Sequence, residues 1–142
     1  LRGGGGAVFF AVCRGKVSEG LDFADAAGRA VVIVGLPYPN KADLRVKLKR
    51  EYLDERAHRT RIRFNGGDWY SQQATRAVNQ CVGRIIRHSN DYGAVVFCDA
   101  RFGQTEHINA LSCWLRPQVQ VASTFGDITR TLSQFFRTNH AG

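Results

Sequence analysis

Three apolar runs constrain this chain more than any other feature: AVFFAVC at 7–13, AVVIVGL at 30–36 and AVVFCD at 94–99. They are continuous and rich in β-branched or aromatic residues, where alternating polarity would mark a strand with one wet face. Unbroken runs predict parallel strands covered on both faces. Pro37 and Pro39 stop the second run and forbid a helix directly after it. The segment KADLRVKLKREYLDERAHRTRIR (41–63) follows, with nine Lys/Arg against four Asp/Glu. Leu44, Leu48 and Leu53 give it a thin apolar stripe, which predicts a charged surface helix running into a loop.

Asn65-Gly66-Gly67 marks a turn, with Asp68 placed to cap a helix over WYSQQATRAVNQCVGRIIRH (69–88). At 100° per residue, Val78, Cys81, Val82, Ile85 and Ile86 share one side, and Arg76, Gln80, Arg84 and Arg87 the other. Gly83 inside it costs about 1 kcal/mol relative to Ala, which suggests close approach by a neighbour or a ligand. After the third run come a short helix within GQTEHINALSCWL, then Pro117 and a brief extended VQVA. A last amphipathic helix spans 126–137, with Ile128, Leu132, Phe135 and Phe136 as its buried stripe. No internal repeat is visible. Strands alternating with helices predict an α/β architecture with a mostly parallel sheet. Ligands of such sheets bind beyond the carboxyl ends of the strands, and residues 14–23 are expected at one such end.

A length of 142 residues suits one domain. A glycine-rich start is expected over 1–6, the domain over 7–138 and a tail over 139–142. The start, LRGGGGAVFF, has no signal-peptide cleavage pattern and reads as a cut through a longer chain or a loop leading into a strand. The formal charge of +8, from 20 Lys+Arg against 12 Asp+Glu, favours polyanionic partners, nucleic acid first and anionic membrane second. No run approaches the ~20 apolar residues of a membrane span. Cys13, Cys81, Cys98 and Cys113 form no CxxC pair. This argues against a zinc ribbon and for a reducing, intracellular compartment with no disulfide framework. No metal site is expected, and His58, His88, His107 and His140 are too scattered for one.

Two constellations could carry chemistry. In Gln80-x-x-x-Arg84-x-x-Arg87, spacings of four and three place the groups on neighbouring turns of one helix face. Two adjacent guanidiniums repel unless an anion joins them, and their planar donor forks suit phosphate oxygens. A solvated face or salt bridges would explain the same spacing. In GKVSEGLDF (15–23), amides around Gly15 and Gly20 could form an anion-binding nest. There Lys16 and Ser18 could meet phosphates and Asp22 a ribose hydroxyl. Alternatively, Asp22 caps a turn while Lys16 and Glu19 pair in solvent.

Taken together, GKVSEGLDF and the later QCVGRIIRHSNDYGAVVFCDARF resemble motifs V and VI of superfamily 2 DNA helicases of the XPD/DinG-like class. GLPYPN and WYSQQATRAVNQ fit that class as well. The tail LSCWLRPQVQVASTFGDITRTLSQFFR is most similar to the regulator of telomere elongation (RTEL-type) branch, with FANCJ-type helicases as near neighbours. The resemblance runs from about Val8 to Arg137.

It implies the C-terminal part of a second RecA-like (P-loop NTPase-type) domain, incomplete on its N-terminal side, with ATP between it and a first RecA-like domain. Gln80, Gly20 and Asp22 would then bind nucleotide. Arg87 or Arg84 would act as arginine finger, and Lys16 and Ser18 would approach the backbone of single-stranded or structured DNA. The implied activity is 5′-to-3′ ATP-dependent unwinding in the nucleus, serving telomere maintenance, DNA repair and control of recombination. Neither a G-x-x-x-x-G-K-[ST] loop nor a DEAH-like acidic box is present. The Mg²⁺ ligands and the class's 4Fe–4S cysteines would therefore lie outside this chain, which alone should not hydrolyse ATP. A rival reading is a non-catalytic basic α/β module that binds DNA. Trp69, Trp114, Tyr70 and Phe102 are expected in packing, and Asp91 and Asp99 as loop-fixing residues near the sheet edge.

Overall fold

The structure, a computed structural model, describes residues 5–15, 27–86 and 88–140. Two of the apolar runs form strands, β1 (Ala30–Val34) and β2 (Ala94–Cys98), paired in parallel with Ala30 opposite Ala94 and Val34 opposite Cys98. The crossover between them holds two 17-residue helices, α1 (Leu44–Thr60) and α2 (Gly66–Val82). Beyond β2 the chain makes a 3₁₀ turn at Ala100–Gly103, the short α3 (Thr105–Ala110), a second 3₁₀ turn at Arg116–Gln118, and α4 (Phe125–His140). The predicted α/β class and parallel pairing hold for these residues. Among them no helix is long and apolar enough to cross a membrane.

The run 7–13 departs from expectation. Among the described residues it joins no strand, and Val8, Phe9, Phe10 and Val12 are largely exposed. An apolar run states that something must cover it, but strand geometry also needs a hydrogen-bonding edge, and the two-stranded sheet pairs only β1 with β2. Nor is β1 covered on both faces. Ile33 is buried, whereas Val32 and Val34 point to the open side. One helix layer lies against the pair, so period-two burial replaces the expected two-sided burial.

The core forms where α2 crosses the sheet. Val78 and Val82 are each 1% exposed and pack with Ile33, Phe102, Leu111 and Leu115. Full burial of such a side chain stabilises by about 1.5–3 kcal/mol. Phe97 stacks on Phe102 with ring centroids 4.5 Å apart, tying β2 to the turn after it. The predicted apolar side of α2 is correct, with Cys81 half-buried, and past the helix end Ile85 is buried and Ile86 half-buried.

The helix ends differ from the reading. Asn65 caps α2, accepting from the Gly67 and Asp68 amides, while Asp68 reaches back to the Asn65 amide. Asp68 is thus the third-position partner of a reciprocal capping box rather than the cap. Likewise Thr124 and Asp127 bond reciprocally at the start of α4. The α4 stripe of Ile128, Leu132, Phe135 and Phe136 is half-buried.

α1 begins at the Asp43 cap and ends on Arg61 in a left-handed conformation (φ 55°). Only Leu53 of its leucine stripe is buried; Leu44 and Leu48 are 66% and 55% exposed. What holds α1 is close approach to α2. Asp54 accepts from the Gly66 amide at 2.8 Å, and a Cβ on Gly66 would sit 2.5 Å from the Arg50 carbonyl oxygen. Only a residue without a side chain fits at that crossing.

Candidate functional site

Of the residues singled out, Lys16, Ser18, Gly20, Asp22 and Arg87 lie outside the described residues. Gln80 and Arg84 lie within them. Gln80 sits exposed on the last turn of α2, but the helix stops at Val82 with Gly83 as its cap. From there the bonds tighten: the Arg84 amide donates to the Cys81 carbonyl at 3.3 Å and the Ile85 amide to that of Val82 at 3.0 Å. These are i→i−3 contacts of the kind that close a helix end. The uninterrupted helix over 69–88 is therefore corrected. Gln80 projects from α2, whereas half-buried Arg84 projects from the turn after it, so the two share no continuous helical face.

Gly83 is explained locally. It is exposed, and among the described residues a Cβ there would meet only the carbonyls of Asn79 and Gln80, at 3.3 and 3.8 Å. It ends a helix, and among the described residues nothing beyond its own turn approaches it closely. The glycine that admits a neighbour is Gly93, where a Cβ would lie 2.5 Å from Ile85 Cγ2 and 3.2 Å from the Arg29 carbonyl. It lets the turn bearing Arg84 settle onto the chain entering β2. Asp91 steadies the same corner. It accepts from Arg29 Nη1 and from the Tyr92 amide, each at 2.9 Å, and the Arg29 guanidinium lies 4.0 Å above the Tyr92 ring. Asp99 accepts a two-pronged contact from Arg101 at 2.9 and 2.6 Å. Both aspartates hold loops, as expected.

The described start of the opening motif docks on α2. The Gly15 amide closes a turn onto the Val12 carbonyl at 2.9 Å, with Arg14 left-handed at φ 67°. Arg14 Nη2 donates to the Gln73 carbonyl. Cys13 Sγ lies 3.9 Å from Cys81 Sγ. Burial pushes the Cys81 thiol up to about 11, the adjacent Cys13 adds to the rise, and Arg84 acts in the opposite direction. The entry to residues 15–23 and the end of α2 are thus brought together, with the Arg84 cation acting on the same spot.

Sequence reasoning missed both Cys13–Cys81 and Arg14. The cysteines are 68 positions apart, and each reads locally as a small apolar residue. Arg14 also helps line an open recess of about 460 Å³ with Arg45, Lys49, Asp43, Trp69 and Gln73. Three cations against one carboxylate make its mouth attractive to anions. The aromatics divide: Phe102 is core, Tyr70 stacks on Tyr38 at 4.9 Å and donates to the Pro39 carbonyl, Trp69 is half-buried, and Trp114 is 52% exposed. Chemically, a guanidinium fork and a carboxamide can each donate to an anion, while among the described residues no three His, Cys, Asp or Glu cluster as a metal set.

Comparison with known proteins gives the family context. The family described as helicase C-terminal domain matches residues 2–118. The chain is similar to the "Regulator of telomere elongation helicase 1 homolog" of Arabidopsis thaliana, 56% identical over 142 residues, covering 96% of this chain and 14% of that protein. It is 53% identical over 135 residues to the "Regulator of telomere elongation helicase 1" of Bos taurus, covering 93% of this chain and 11% of that protein. To the Drosophila sechellia homolog it is 52% identical over 144 residues, covering 99% of this chain and 15% of the relative. The chain thus spans only 11% to 15% of the length of these relatives.

Proposed function

The chain belongs to the helicase C-terminal domain family, and from that premise we propose that it forms the ATP-coupling part of a 5′-to-3′ DNA helicase serving telomere maintenance. The family match, which spans both the 15–23 and 80–87 stretches, is the observation that carries this reading. The two-stranded parallel pair and its helices are read as part of a second RecA-like domain. A first RecA-like domain of the same protein would complete the cleft. Work on telomeric DNA and recombination intermediates, a role in repair and nuclear residence belong to the same proposal, since the named relatives are regulators of telomere elongation.

The described part of the site fits a nucleotide polyphosphate. Arg84 brings a planar fork of donors suited to phosphate oxygens, the turn that bears it packs against Gly93 through Ile85 and Ile86, and Gln80 offers an amide donor in solvent. Gly20, Asp22 and Gln80 would hold ATP. Arg87 or Arg84 would face the phosphate where negative charge develops, and such a finger is worth about 10³–10⁵ in rate. Lys16 and Ser18 would contact the DNA backbone, so that one loop senses both ligands and couples hydrolysis to strand movement. Mg²⁺ ligands and a 4Fe–4S cluster belong to segments beyond this chain, and ATP supplies the free energy for translocation.

The test is Arg84→Ala and Arg87→Ala in the full-length protein, assayed for DNA-stimulated ATPase and for DNA binding. Loss of hydrolysis with binding preserved within a few fold supports the reading. Unchanged hydrolysis in both variants removes these arginines from the site.

A further inference from the structure

Two half-buried thiols from distant parts of the chain face each other across 3.9 Å where the entry to residues 15–23 lies against α2. We propose that Cys13 and Cys81 are a reversible dithiol–disulfide site, a staple that oxidation closes between that entry and the last turns of α2. A disulfide needs sulfurs about 2.05 Å apart, so closure asks for an approach of about 2 Å, within reach of side-chain rotation and a small backbone shift. Cys98 and Cys113 are exposed and open to a small oxidant, whereas Cys13 and Cys81 each have a second thiol at hand to resolve a mixed disulfide.

The step balances with glutathione disulfide as oxidant. The Cys13 thiolate attacks one glutathione sulfur, forming a mixed disulfide and expelling one glutathione thiolate. Cys81, deprotonated, then attacks Cys13 Sγ; the Cys13–glutathione bond breaks, the Cys13–Cys81 bond forms and a second glutathione thiolate leaves. The two protein thiols lose two electrons and two protons, and one glutathione disulfide becomes two glutathione molecules. Cys13 is the attacking residue because burial holds the Cys81 thiol up, and Cys81 acts second, its proton passing to a departing glutathione thiolate.

The functional consequence rests on the helicase reading. The staple would sit beside Arg84 and fix the separation of two segments assigned to nucleotide and DNA. A misplacement of about 1 Å in such a site can cost on the order of 10²-fold in rate.

The experiment equilibrates the full-length protein in glutathione buffers from reducing to oxidising, traps free thiols by alkylation, maps peptides and assays DNA-stimulated ATPase in parallel. Expected are one linked Cys13–Cys81 peptide with Cys98 and Cys113 alkylated, an ATPase loss on the order of 10²-fold, and recovery on reduction. Cys13→Ser and Cys81→Ser should give no linked peptide and keep their ATPase in oxidising buffer. Absence of the linked peptide at the oxidising end overturns the site. A linked peptide with unchanged ATPase, or a loss that persists in Cys13→Ser, overturns the regulatory consequence. If the reduced wild type shows no DNA-stimulated ATPase, the helicase reading fails, while the peptide map still decides the disulfide.

Discussion

Replacing Gly66 by alanine tests how α1 and α2 are joined. The added Cβ would stand 2.5 Å from the Arg50 carbonyl oxygen, 2.8 Å from its Cα and 2.9 Å from its carbonyl carbon. All three are main-chain atoms inside a 17-residue helix, so no rotamer change relieves them. Reaching an ordinary contact of about 3.5 Å requires the helices to part by roughly 1 Å. Overpacking of this kind costs about 1–3 kcal/mol. Lengthening the Asp54–Gly66 bond adds about 0.5–1.5 kcal/mol. Against this, alanine restricts the unfolded chain and returns about 0.4–1 kcal/mol. The net expectation is a loss of about 0.5–4 kcal/mol, read as a lower urea midpoint at unchanged slope. Gly126→Ala is the control, because its Cβ would meet only Thr124 Oγ1 at 3.6 Å, and it should be neutral or slightly stabilising. A Gly66→Ala protein as stable as the Gly126→Ala protein would refute the close crossing.

Arg101 holds the Asp99 carboxyl down from 3.8 to about 2. Its contribution is therefore in place above pH ~4 and lost as pH falls through 2, and Arg101→Ala should return the Asp99 titration, followed by carboxyl NMR, towards the ordinary value. An Asp99 titration unmoved by that substitution would exclude the contact. The Cys81 thiol, raised from 9.0 to about 11, contributes stability that is full below pH 9 and lost as pH rises through 11. Alkylation of Cys81 in the reduced protein should accordingly lag that of exposed Cys98 and Cys113 at pH 9 and catch up towards pH 11; equal rates at pH 9 would contradict its burial.

The parts of the fold legible in the sequence were those set by local periodicity. The α2 stripe of Ala74, Val78 and Val82 follows from helical spacing, and β1 and β2 from their β-branched runs flanked by proline and glycine. Cap choice was less legible, because Asn65 and Asp68 are equally good oxygens and only the turn geometry decides which one caps. Least legible was whatever depends on distant partners. The 7–13 run shows the same pattern as β1 yet forms no strand among the described residues. Gly66 looked like a turn residue, although its role is set by Arg50 on another helix. Spacing singled out Gln80 and Arg84, but the break at Gly83 that separates their faces comes from i→i−3 bonds that no spacing rule foresees. Cys13 and Cys81 have no local signal of their meeting.

The central claim is that an arginine just past the end of α2 acts on bound nucleotide rather than on DNA. Single-turnover ATP hydrolysis by full-length Arg84→Ala and Arg87→Ala proteins, at saturating ATP and DNA, tests it most directly. The account predicts that at least one variant falls by about 10³-fold or more with DNA affinity nearly intact. Hydrolysis at the wild-type rate in both, or a loss that tracks weakened DNA binding, would contradict it.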